Sequence, residues 1–155
     1  YWEINDSTRN NSVVIATGEL WTNTTPSKYH FEYTNNLIVE GVVGKTSYIA
    51  FTPALIEHYY NESTFNDSFI YMATCHALYD ESMASVFLDK DARVYVSWTQ
   101  DTVFWTNNLA SLWTFRLLRL GLPIKNICER IGSGGFYNWL FESELSYAGD
   151  GDFTL

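Results

Sequence analysis

The sequence predicts an α/β fold: a three-layer sandwich in which helices cover both faces of a mostly parallel central sheet. Three observations carry that expectation. Short β-branched or aromatic runs at residues 12–17, 47–51, 68–74 and 93–98 alternate with stretches of helical spacing, the pattern of right-handed βαβ crossovers. Those runs are nearly continuous in apolar character, as strands buried on both faces are. The chain has 155 residues, 46% of them hydrophobic, which suits a single domain over 1–155 with a sizeable core and excludes two independent catalytic domains.

Taken in order, Ser12-Val13-Val14-Ile15-Ala16-Thr17 reads as a buried strand ended by Gly18. Asn23-Thr24-Thr25-Pro26-Ser27 supplies turn residues. Phe31, Leu37, Ile38 and Val42 then allow a helix from Lys28 to about Glu40, weakened by Thr34-Asn35-Asn36. Residues 47–51 form a second strand, and Thr52-Pro53 caps a short helix reaching Tyr60. Residues 68–74 are the strongest strand, with Cys75 at its carboxyl end. Asp80 caps a helix through Met83, Ala84, Phe87 and Leu88, and residues 93–98 follow as a strand. Thr106 or Asn107 opens a helix that Gly121 and Pro123 end, and residues 124–131 form another. The tail, residues 149–155, offers an edge strand. Gly132-Ser133-Gly134-Gly135 has neither a preceding strand nor a following Lys-Ser/Thr, which disfavours a phosphate cradle.

Nine Lys and Arg stand against eighteen Asp and Glu, a net charge of −9. Such a chain repels phosphate backbones, so nucleic acid is excluded as a partner. No stretch approaches the roughly 20 apolar residues of a membrane span. Uncharged polar residues replace the missing charge and form five Asn-x-Ser/Thr acceptor patterns, at Asn5, Asn10, Asn23, Asn61 and Asn66. All five fall in loops or element edges, which favours a secreted or cell-surface glycoprotein over chance occurrence. A start at Tyr1 without an initiator Met points to a mature product or a piece of a longer chain. Two cysteines, Cys75 and Cys128, can pair in an oxidising compartment but are too few for a disulfide framework.

In open α/β sheets, chemistry gathers outside the carboxyl ends of the strands. Cys75, just past a buried strand and ahead of a helix, is the best nucleophile candidate; a buried structural cysteine is the alternative. A thiol nucleophile needs a base, usually histidine. His76 is adjacent, and neighbouring side chains diverge, which makes it a weak partner. His30 and His58 lie in predicted helices as surface or packing residues. Glu19, Trp98 and Asp101 sit at strand ends as pocket candidates, with solvated loop carboxylates as the plainer reading of Glu19 and Asp101. No ligand spacing supports a metal, and no cofactor is expected.

Phe69-Ile70-Tyr71-Met72-Ala73-Thr74-Cys75-His76-Ala77-Leu78, Met83-Ala84-Ser85-Val86-Phe87-Leu88 and Ala92-Arg93-Val94-Tyr95-Val96-Ser97-Trp98 follow the order strand, cysteine, helix, strand. In that order the chain resembles the nucleophile half of caspase-like cysteine peptidases of the clostripain and gingipain kind. Residues 48–53 and 149–155 also resemble parts of uncharacterised caspase-like domains of archaeal surface proteins. The resemblance implies a caspase-like fold with Cys75 at the nucleophile position. The family's His-Gly is replaced by Thr17-Gly18-Glu19, Ala77 stands for the commoner Gly, and Asp91-Ala92 replaces Gly-Ala, so no general base carries over.

These departures favour a catalytically degenerate structural or binding module. The alternative is an active cysteine endopeptidase with Cys75 as nucleophile. Expected partners are other protein chains or a second copy, with a peptide or glycan as ligand. Trp21, Trp98 and Trp105 are placed near strand-end loops, as is compatible with a pocket or subunit contact, whereas Trp113 is expected in the core; Trp2 and Trp139 complete the set.

Overall fold

Val94, Tyr95 and Val96 are the middle of a seven-residue run, Ala92–Trp98, in which only Arg93 is exposed and whose β-branched and aromatic side chains suit a pleated, doubly covered strand. In the computed structural model, which describes the main chain of residues 2–4 and residues 13–132 and 143–155, this run lies at the centre of the larger of two compact units. The first unit is residues 1–61 and the second 62–155.

The first unit is an antiparallel sheet in the order β1-β3-β4-β2, from β1 (Trp2–Ile4), β2 (Ile15–Leu20), β3 (Ile38–Val43) and β4 (Thr46–Phe51). β3 and β4 form a hairpin in which Val43 faces Thr46 across Gly44-Lys45, and Gly44 takes the positive φ, +64°, that a tight hairpin turn demands. Short helices α1 (Thr25–Lys28) and α2 (His30–Thr34) precede β3, and α3 (Pro53–Tyr59) follows β4 with proline in its first turn. Leu37, Ile38, Val39, Ile49, Ala50 and Ile56 are its buried core.

The second unit has a three-stranded sheet in the order β5-β6-β7, from β5 (Ser68–Tyr71), β6 (Ala92–Trp98) and β7 (Leu145–Gly149). β5 and β6 are parallel, joined through α4 (Ser82–Leu88); β7 runs antiparallel to β6. One face of β6 contributes Val94, Val96 and Trp98 to a core with Ala110 and Leu118 of α5 (Phe104–Arg119) and Ile124, Ile127 and Cys128 of α6 (Ile124–Gly132). The other face carries Tyr95, whose ring stacks 5.7 Å from that of Phe87 on α4. Each fully buried Val side chain contributes on the order of 1.5–3 kcal/mol.

The expected three-layer sandwich on one mostly parallel, caspase-like sheet is therefore not what forms. Two sheets form, the first wholly antiparallel, the second with a single parallel pair. The main cause is residues 28–40, expected as helix. Asn36 at φ +60° ends α2, and the β-branched residues Ile38, Val39, Val42 and Val43 then extend as β3 and turn straight into β4. A hairpin occupies the place where a crossover to a parallel strand was expected. The tail strand lies earlier than expected, at Leu145–Gly149.

Gly149 closes β7 at φ +91°, and a Cβ there would lie 2.5 Å from the Arg93 carbonyl oxygen and 2.8 Å from Leu88 Cδ2. Gly149→Ala is expected to destabilise the second unit by about 3 kcal/mol, combining left-handed strain with overpacking. Urea unfolding followed by tryptophan fluorescence measures this; an unchanged midpoint contradicts the account.

Candidate functional site

After β5 the chain leaves the sheet, and residues 72–79 are fastened to the carboxyl end of β6. The Met72 amide donates to Val96 O (2.9 Å), His76 N to Gln100 O (3.2 Å) and Leu78 N to Trp98 O (3.1 Å). Side chains add to this: Ser97 Oγ donates to Met72 O at 2.8 Å and Tyr95 Oη to Ala77 O at 3.3 Å. Asn107, in the first turn of α5, bridges both sides, accepting from Trp98 Nε1 at 3.0 Å and donating to Ala73 O at 2.8 Å. A loop carrying this many anchored polar groups is a rigid platform at the end of a parallel strand pair, where ligands gather in such sheets.

Cys75 and His76 occupy this platform. The Cys75 thiol donates to Thr102 O and its sulfur accepts from Thr102 N, both at 3.3 Å. Its proton thus points at a main-chain carbonyl, and among the described residues no histidine bonds the sulfur. His76 adopts a left-handed φ of +57°, and its Nε2 lies 3.0 Å from Asp101 Oδ1. His76 and Asp101 are both partly exposed. The adjacent side chains diverge, and the two groups that nucleophilic catalysis needs in line have separate partners.

Asp101 therefore stands in the platform, and Trp98 lies beneath it as a core residue, 4% exposed, with its indole nitrogen tied to Asn107. Glu19 belongs to the first unit. Cys75 and Cys128 are both free thiols. Burial in the second unit's apolar core pushes the Cys128 thiol up to about 12. Of the glycosylation candidates, Asn23, Asn61 and Asn66 are exposed, while Asn5 and Asn10 lie outside the described residues, as do residues 133–135 of the Gly-rich break and Trp139. Only the main chain of Trp2 is described. Trp113, expected in the core, is 47% exposed on α5.

The first unit holds a cavity of about 400 Å³. Ile38, Ile49 and Leu55 give it apolar lining, joined by Thr17, Tyr59, Tyr60 and two carboxylates. Glu19 accepts from Lys28 Nζ at 2.8 Å and from Tyr29 Oη at 3.0 and 3.2 Å; these bonds, that from Lys28 foremost, hold its carboxyl below the usual carboxylate range. Glu32 accepts from Tyr59 Oη at 2.7 Å, which lowers the carboxyl and raises the phenol. Both carboxylates are thereby oriented while ionised, beside tyrosine rings that favour cations electrostatically.

No family model, curated protein or solved structure matches this chain. Among the described residues no three His, Cys, Asp or Glu side chains converge as a metal site, and no helix is long and apolar enough to cross a membrane. The sequence marks Asn107 as a helix opener and not as a site residue, and it marks residues 99–102 as a strand-end loop without singling out Thr102, whose contribution is main-chain and leaves no residue-type signal. Glu32 and Tyr59 were missed because they sit in different elements and meet only when α2 and α3 are placed on the sheet.

Cys128 makes stability pH-dependent. Its folded value is raised from the ordinary 9.0 to about 12, so its contribution is complete below pH 9 and is lost as the unfolded thiol ionises and pH climbs towards 12. Between pH 9 and 10, Cys128 is expected to account for a loss of about 1 kcal/mol in urea unfolding, which Cys128→Ala removes, leaving the smaller loss from the Tyr71 and Tyr95 phenols that burial also raises. An identical slope in the variant contradicts the assignment.

Proposed function

We propose that this chain is a binding module of a secreted or cell-surface protein, not a working peptidase. The observation that carries the reading is the separation of Cys75 from His76, the first bonded to the Thr102 main chain and the second to Asp101. Of the resemblance to caspase-like peptidases only the β5–Cys75–α4–β6 order remains, and it comes without a base at the sulfur. Exposed acceptor asparagines at 23, 61 and 66 support an extracellular setting. The cavity of the first unit is where such a module would hold a peptide. Its apolar lining and its two oriented carboxylates favour a basic side chain, whose aliphatic stem and charged head match both.

Iodoacetamide is expected to label Cys75 no faster than a free thiol, and a peptide library is expected to stay intact. Rapid labelling with a pH inflection near neutrality, accompanied by cleavage, would establish the cysteine endopeptidase instead, with His76 and Asp101 rearranged as its base pair. Binding of Lys- and Arg-containing peptides, followed by calorimetry, is expected to weaken about fivefold in Glu32→Gln, the scale of an exposed charge pair. Equal binding of neutral and basic peptides rejects the cavity as their site.

A further inference from the structure

Helix α5 presents the wrong face to water. Its buried positions are Ala110, Thr114 and Leu118, a narrow line four residues apart. A surface helix with such an inner face ordinarily carries polar residues opposite. Here Trp105, Leu109, Leu112, Trp113 and Leu120 are exposed, Leu112 to 64% and Leu120 to 68%. At 3.6 residues per turn, positions 105, 109, 112, 116 and 120 fall within a sector roughly 80° wide, so the apolar side chains form one stripe along the helix.

Arg116 lies inside that stripe, its guanidinium 5.2 Å from the Trp113 ring centroid, and Arg119 lies at its edge. Residues 102–128 contain no Asp or Glu in a chain that has eighteen, and among the described residues neither arginine has an acidic partner. The strip is therefore apolar, rich in tryptophan and purely cationic. A second copy fits it poorly, because a twofold contact would bring arginines against arginines with no acid on the face to neutralise them. At 16 residues the helix is too short to cross a bilayer.

We propose that α5 is an interfacial helix that lies in the plane of an anionic lipid bilayer. Trp105, Leu109, Leu112 and Leu120 enter the boundary between headgroups and acyl chains, and Arg116 and Arg119 reach the lipid phosphates. The acidic remainder of the chain does not prevent this, because exposed charges beyond a Debye length of about 8 Å are largely screened at physiological ionic strength. The proposal is independent of the peptide-binding reading and concerns a different surface.

Co-sedimentation of the full chain with vesicles tests it. Phosphatidylcholine vesicles containing phosphatidylglycerol are expected to bind about 25-fold more strongly than phosphatidylcholine alone, since each basic group near an anionic surface adds about fivefold. Added salt is expected to reduce that preference. The double variant Arg116→Gln/Arg119→Gln is expected to abolish it, and Leu112→Ser is expected to weaken binding to both vesicle types by about tenfold. All three positions are exposed, and unchanged circular dichroism verifies the fold. Failure to sediment with either vesicle, or binding indifferent to Leu112→Ser, overturns the proposal. So does a lipid-free dimer that Leu112→Ser dissociates, which would assign the stripe to a second copy.

Discussion

Burial of β6 on both faces is the constraint from which the second unit follows. A strand whose neighbours in sequence alternate between Val94, Val96 and Trp98 on one side and Tyr95 and Ser97 on the other has no face left for water, so helices must close both. α5 and α6 supply one cover and α4 the other. The polar atoms trapped by that burial then need partners. Ser97 Oγ and Tyr95 Oη find them in the carbonyls of residues 72 and 77, and the loop that carries Cys75 is fixed as a consequence of packing the core.

That loop shows how a site can resemble catalytic machinery without being assembled as such. The elements follow in a suitable order and the residue types are present, yet catalysis depends on which atoms face which. The imidazole of His76, a residue of positive φ, pairs with Asp101, and the Cys75 sulfur donates to Thr102 O and accepts from Thr102 N. Asn107 completes the platform by joining the end of β6 to the end of β5 through a single carboxamide.

The first unit is organised by a different economy, local pairing instead of crossover. A two-residue turn sets the β3–β4 register, and every strand pair is antiparallel. The cavity arises where Glu32 of α2 and Tyr59 of α3 meet beside Glu19 of β2. Its carboxylates are held by hydrogen bonds from tyrosine and lysine, an arrangement that orients charge without burying it.

Several elements were legible in the residues because local chemistry determines them. The strands at 46–51 and 92–98, the proline-led helix at 53–59 and the helices at 104–119 and 124–132 carry their own periodicity, although α5 opens at Phe104, ahead of Thr106 and Asn107. The strand at 68–74 was legible only to Tyr71, where β5 ends, so that Cys75 lies in the loop beyond it and not at the strand's end. Residues 38–43 were not, since Ile38, Val39 and Val42 satisfy helical spacing and strand propensity alike, and only pairing with β4 decides between them. Parallel or antiparallel direction, the diversion of His76 to Asp101, the meeting of Glu32 with Tyr59 and the outward turn of Trp113 were likewise tertiary decisions. Each depends on a partner distant in sequence or on which face of an element finds cover, and spacing along one chain does not encode that.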